Sequence, residues 1–326
     1  DYDMDGDVDL ADLCVFVSCY LSTDYLTDES CGLFPDGNGN ISADADEDHD
    51  VDLADFSVFS NCYSGQGNPA DPSCGHRSVA PSITQISLKG DSIKVVGVGV
   101  TVDGTTATIT APGSYNITGT LNDGQIAVNS PTAGVVEIIL AGVNISSSTS
   151  AAINVLDASF TSIVLADQTQ NYLSDADEYV YPDPTLTDPS GCVFSDDSMM
   201  ISGTGALTVY GNYNDGIVSK DELIIGGGTI DVISIDDGIR GKNYLLIKNG
   251  DITLTTGGDA LISDNDSDPS LGYITIENGS LDILSGGDGI SAEKNVTVTG
   301  GDIAIVSGGG HTVTISDEFS AKGIKG

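Results

Sequence analysis

NDGIVSK at 214–220 returns as DDGIRGK at 236–242, GDALISD at 258–264 and GDGISAE at 287–293. The steps are 22, 22 and 29 residues, and the same steps separate GGT at 227–229, NGD at 249–251, NGS at 278–280 and GGD at 300–302. The longer step is one ordinary unit carrying a seven-residue insertion, placed in SDNDSDPSLGY at 263–273. Between these marks apolar and polar residues alternate, as in Ile230-Asp231-Val232, Ile252-Thr253-Leu254 and Leu281-Asp282-Ile283. Period-two alternation broken by glycine-rich turns is the signature of short strands. A fixed repeat of about 22 residues holding two or three of them predicts one coil of a parallel β-helix per repeat. Residues 83–213 follow the same grammar more loosely, so the coils are expected to fill 83–326.

Residues one coil apart stack at strand spacing, about 4.8 Å. The register puts Ile217, Ile239, Leu261 and Ile290 in one column, which must be core. It puts Asp215, Asp237, Asp259 and Asp288 in another. Carboxylates so close repel unless they are protonated, hydrogen-bonded to turn amides or bridged by cations. Two readings stand at this point: a column of bridged metal sites, or aspartates capping the turns through backbone N–H groups. Asp264, Asp266 and Asp268 alternate in the insertion beside the column and add further oxygen ligands. Lys220, Arg240 and Lys242 lie nearby, where a basic group next to a metal ion would hold the carboxylate of an acidic sugar. The same pairing is what a calcium-dependent polysaccharide lyase uses, the metal acidifying a carbon and a basic side chain taking its proton.

The first 75 residues have a different character. DVDLAD occurs at 7–12 and again at 50–55, a 43-residue offset. Each copy ends a run of alternating aspartates: Asp1, Asp3, Asp5, Asp7, Asp9, Asp12 and Asp44, Asp46, Asp48, Asp50, Asp52, Asp55. Side-chain oxygens at positions 1, 3, 5, 9 and 12 of a twelve-residue loop, with a backbone carbonyl at position 7, wrap one Ca²⁺. The spacing of Leu10, Leu13, Val17 and Leu21 after the first loop predicts a helix, and Leu53, Phe56 and Tyr63 do so less regularly. Loop and helix in duplicate resembles a dockerin module over residues 1–64. That resemblance implies a cohesin-like partner, although the absence of lysine and arginine from 1–76 leaves a calcium-stapled spacer or an intramolecular dock as the alternatives. Residues 65–82, rich in Gly, Pro and Ser, read as the linker.

The ordered motifs GSYNITGTLNDGQIAV (113–128), VEIILAGVNIS (136–146), NYNDGIVSKDELIIGGGTIDV (212–232) and GGDGISAE resemble a family of bacterial, calcium-containing, right-handed β-helix proteins that bind cellulose and polygalacturonate. This resemblance implies binding of polysaccharide, an acidic sugar polymer or cellulose, without turnover. It also favours Ca²⁺ as the cofactor of the aspartate column. The fold class expected is therefore mainly β: a right-handed parallel β-helix with a small α-helical, dockerin-like module at its N-terminus.

Composition narrows the partners. There are 49 acidic residues against 10 basic, a net charge of −39, 41 glycines and no tryptophan. Nucleic acid and anionic membranes require basic patches and are excluded as direct partners. The missing tryptophan argues against a broad sugar-stacking platform, with Tyr210, Tyr213 and Tyr244 as substitutes. Cys19 with Cys31 and Cys62 with Cys74 repeat one spacing, which favours two disulfides and a secreted, extracellular protein, with Cys14 and Cys192 left over. The first residue, Asp1, is also the first ligand of a loop, which reads as a processed or trimmed start. The last residues, SAKGIKG at 320–326, restart the coil motif without a cap. An open strand edge invites another chain, so a self-assembled extracellular filament is the structural alternative to a binding protein.

Overall fold

The structure, a computed structural model, describes residues 83–310 and 321–326 together with Ala43 and Phe59. Every complete element among the described residues is a strand, Phe59 alone having helical backbone. The strands form a 16-stranded sheet, thirteen of them on one continuous path, and a ten-stranded sheet.

One coil shows the plan. Asp215–Ser219 lies in the first wall, Glu222–Ile225 in the second and Thr229–Ser234 in the third. The next coil repeats them as Ile239–Gly241, Tyr244–Ile247 and Asp251–Thr256. Each strand pairs in parallel with its counterpart one coil away: Ile217 with Ile239, Leu223 with Leu245, Ile230 with Ile252. The insertion at 263–273 leaves the ladder undisturbed, because Leu261 still pairs with Ile290 and Leu254 with Ile283. It loops out between Leu261–Ser263 and Tyr273–Ile276. A second insertion, 175–190, leaves between Gln170–Ser174 and Gly191–Ser195. It folds back so that Tyr179 stacks on Tyr213 with ring centroids 4.3 Å apart.

The core is the inside of the coils. Alternate residues of all three walls point inward, and Ile217, Leu223, Ile230, Ile239, Leu245 and Ile252 are all fully or almost fully buried in one apolar cluster. Burying one such side chain stabilises by about 1.5–3 kcal/mol, so stacked columns of them account for the cohesion of neighbouring coils. Cys192 sits in this core as a free thiol.

The fold class expected from sequence needs correction. It combined a right-handed β-helix with an α-helical, dockerin-like module; the described elements are all strands in two sheets, and no helical module is supported. Residues 1–64, apart from Ala43 and Phe59, lie outside the described residues, as do the loops with Asp1, Asp3, Asp5, Asp9, Asp12, Asp44, Asp46, Asp48, Asp52 and Asp55. Three walls make only two sheets for a physical reason. Val135–Ser146 runs for 12 residues across the corner between the second and third walls, bending at Gly142 (φ 81°) instead of breaking. Its first half pairs with Phe160–Leu165 and its last residues with Gln170–Ser174, which fuses two walls into one sheet.

Nor do uniform coils fill the whole domain. Thr84–Gly90 and Ile93–Val96 form an antiparallel hairpin, and so do Val100–Asp103 and Thr106–Ile109. Gly90 (φ 69°) and Gly104 (φ 57°) supply the left-handed residues that tight hairpins require. The Gly90-Asp91 and Asp103-Gly104 pairs are the turn signals behind them.

Candidate functional site

The turn from the third wall into the first places the aspartate column. Ser234, Thr256 and Ser285 each donate their hydroxyl to the carbonyl two residues on, at Asp236, Gly258 and Gly287. This fixes the turn, and a carboxylate follows it in each coil. Asp215 Oδ1 accepts from the Asp237 N–H at 3.1 Å, Asp237 Oδ1 from the Asp259 N–H at 2.8 Å, and Asp259 Oδ1 from the Asp288 N–H at 2.6 Å. Asp288 Oδ1 then accepts from the Lys322 N–H at 2.6 Å. A glycine follows three of the four aspartates, Ala260 follows Asp259, and close stacking requires the small residue: a Cβ on Gly238 would lie 2.6 Å from the Ala260 carbonyl oxygen.

The second carboxylate oxygens meet cations of the protein itself. The Arg240 guanidinium reaches Asp215 at 3.6 Å, Asp237 at 3.5 Å and Asp264 at 3.2 Å. Lys325 reaches Asp288 at 3.5 Å. Burial pushes the Asp215 carboxyl up to about 7, with Asp237 adding to the shift and Arg240 opposing it. Burial likewise pushes Asp237 up to about 6.

The other residues singled out in sequence are dispersed. Lys220 bonds Asp188 at 2.8 Å and Asp196 at 3.1 Å, and the Asp188 contact raises its pKa. Lys242 is exposed. Asp266 is exposed, and Asp268 caps its own turn by accepting from the Ser270 N–H and hydroxyl. Among the described residues no group of three or more His, Cys, Asp or Glu side chains converges as a metal site. In the column a backbone N–H occupies one oxygen of each carboxylate, Arg240 or Lys325 faces the other in three of the four, and Asp215 Oδ2 is buried without a hydrogen-bond partner.

A different site lies at the corner between the second and third walls. Gly203 (φ 103°), Gly228 (φ 99°), Gly250 (φ 133°), Gly279 (φ 111°) and Gly301 (φ 93°) turn this corner in successive coils. With no side chain there, the stacked corners leave an open groove of about 560 Å³. Its walls carry Thr204, Asn249, Asp251, Asn278, Ser280 and Asp302 among the glycines. Amide, hydroxyl and carboxylate groups thus repeat along the groove at the coil spacing of about 4.8 Å. No lysine or arginine lines it. Such a surface can exchange hydrogen bonds with the hydroxyls of an extended, uncharged chain. The residues GGT, NGD, NGS and GGD that mark the repeat are this groove; their recurrence was the signal, although as spacing alone it says nothing of a concave surface. Of the tyrosines weighed as stacking platforms, Tyr210 is exposed on the third wall and Tyr213 is engaged by Tyr179.

Three comparisons bear on this geometry. A family model described as carbohydrate-binding domain-containing protein matches residues 103–326. A curated carbohydrate-binding domain-containing protein of Acetivibrio thermocellus is 41% identical over 134 residues, which is 41% of this chain and 47% of that protein. The chain thus matches about half the length of that relative. Among solved structures, the gadolinium derivative of a polysaccharide lyase-like protein from C. thermocellum is similar with a TM-score of 0.64 and 32% identity, over 74% of this chain and 99% of that one.

Proposed function

The chain belongs to the family of carbohydrate-binding domain-containing proteins, and we propose that it is an extracellular, non-catalytic protein that binds a neutral polysaccharide along the groove of stacked glycine corners. The observation that carries this reading is the lining of the groove. Its amides, hydroxyls and carboxylates repeat from coil to coil with no cation among them. A neutral glucan-like polymer, extended and rich in hydroxyls, matches that repeat better than an acidic one. Two of the three cations weighed for an acidic sugar are occupied elsewhere, Arg240 by three carboxylates and Lys220 by two, and the exposed Lys242 does not line the groove.

The same pairing weakens the lyase alternative. A lysine acting as general base needs a lowered pKa, and Asp188 moves Lys220 the other way. Calcium enters this proposal through the aspartate loops at 1–12 and 44–55, whose spacing suits it, and not through the groove.

The test is retention on insoluble cellulose and on immobilised polygalacturonate, with and without chelator. Retention on cellulose, lowered about tenfold by a combined Asn249→Ala and Asn278→Ala change, supports the reading. Retention on polygalacturonate alone, or ultraviolet-absorbing unsaturated products accumulating with time, would overturn it.

A further inference from the structure

The second wall has an outward side that is not built like a free surface. Pairing places Ser114, Glu137, Ser162, Met200, Ile224 and Leu246 in one row facing away from the core. Their inward neighbours Ile138, Ile163, Ile201, Ile225 and Ile247 already fill the core cluster. Yet Glu137 is 1% exposed, Ser162 0%, Met200 1%, Ile224 2% and Leu246 6%. No described strand forms a layer over this side; the strands of the wall contact their ladder neighbours and the other walls of their coils. Further along the row the character changes. Thr275 is half-buried and Thr297 exposed, so the covered zone ends after the coil of Leu246.

Where the chain enters the described fold points to the occupant. Thr84 pairs with Tyr115, so the residue before it, Ile83, continues the row beside Ser114. The 82 residues preceding Ile83 therefore leave the sheet at one end of the covered zone. From Glu137 to Leu246 the zone spans five strands, about 19 Å at strand spacing. A compact segment of that length has a radius of gyration of about 12 Å, wide enough to cover it. The segment offers apolar residues such as Leu10, Val17, Leu53 and Phe56, and its two described residues, Ala43 and Phe59, are themselves buried. Chemistry agrees at Glu137. Its buried carboxylate has the neighbouring Ser114 hydroxyl beside it and no cation among the described residues, and Arg77 is the single lysine or arginine of residues 1–82. Burial holds this carboxyl up to about 7, which suits a cover that is apolar and acidic.

We propose that residues 1–82 dock on the outward face of the second wall, seated on Met200, Ile224 and Leu246. This acidic segment is then part of the folded body of the protein and not a tethered module. The groove at the next corner stays open beside it.

A specific protease site introduced within 65–82 of the full chain tests the proposal. After cleavage the two fragments should co-elute in size exclusion at the mass of one chain. Leu246→Asp should separate them, while Thr253→Asp on the outward side of the third wall should not. Methionine oxidation reads the same contact in the uncleaved, unsubstituted chain. Met200 should oxidise at least tenfold more slowly than free methionine, and the protection should be lost when the fragments are parted in mild denaturant that leaves the coils folded. Separation of the unsubstituted fragments at once would overturn the proposal, as would fast oxidation of Met200 in the intact chain. A coil fragment that stays dimeric with Met200 protected would overturn it in favour of a second copy on this face.

Discussion

The second and third walls belong to one sheet and share one register, yet their outward sides have opposite character. Inward, both present Ile, Leu and Val at every second position, as Leu245 and Ile247 do in one and Ile252 and Leu254 in the other. Outward, the second wall presents Met200, Ile224 and Leu246, all buried. The third presents Thr208, Asp231, Thr253 and Asp282, none of them buried. Inward alternation sets the coil, and the outward residues record what each wall meets. A parallel coil needs only one apolar side per wall, so a second apolar side has to be explained by something that rests on it.

The inward sides should prove interchangeable. Ile247→Ala in the second wall and Leu254→Ala in the third each remove a fully buried side chain. Each is expected to cost about 2–5 kcal/mol in urea unfolding. A cost near zero for one of them would show that only one wall carries the core.

The outward sides should not be interchangeable. Ile224→Ala is expected to destabilise by about 1–3 kcal/mol, from the lost burial alone. Thr253→Ala, one wall away, should stay within about 0.5 kcal/mol. Equal effects would erase the distinction between the two outward sides.

The two walls differ also in pH dependence. Glu137 has an ordinary pKa of 4.5, and burial raises it to about 7 in the folded chain. Between those values the folded chain holds the extra proton, so the stability this group contributes below pH 4.5 is lost as pH rises through 7. Asp175, pushed by burial up to about 6, acts in the same direction. Melting temperature should therefore fall from pH 4.5 to 7.5, and Glu137→Gln should make that fall shallower. An unchanged slope in the variant would place Glu137 in contact with solvent.

Much of the ladder was legible in the sequence because it depends on repetition alone. The recurrence of DGI-like turns at fixed steps is enough to pair Ile217 with Ile239 and Leu261 with Ile290, and the structure has those pairs. The hairpins at 84–96 and 100–109 were missed because a turn pair such as Asp103-Gly104 occurs once and is drowned by the looser repeat around it. The aspartate column was placed, with Ca²⁺ favoured as its occupant, but the protein's own cations beside it were not. Whether a carboxylate faces an amide, a guanidinium or an ion depends on where Arg240 points, and one residue outside the repeat carries no periodic signal. The groove was invisible for the opposite reason. It is made by atoms that glycine lacks, and an absence repeated five times reads simply as a turn.

The aspartate column has a further consequence for how the chain is assembled. Each carboxylate accepts from the amide of the coil that follows it, never from the one before. A coil without its successor leaves this acceptor to water, and the next coil replaces that water with an amide and presents an acceptor of its own, one step along. Folding takes on a direction, like a zip whose every tooth is cut to seat the following one. Fraying inward from the Lys322 end has to unmake these bonds one at a time, in reverse order. The ladder then behaves as a nearest-neighbour array whose cooperativity is held in a single line of side chains.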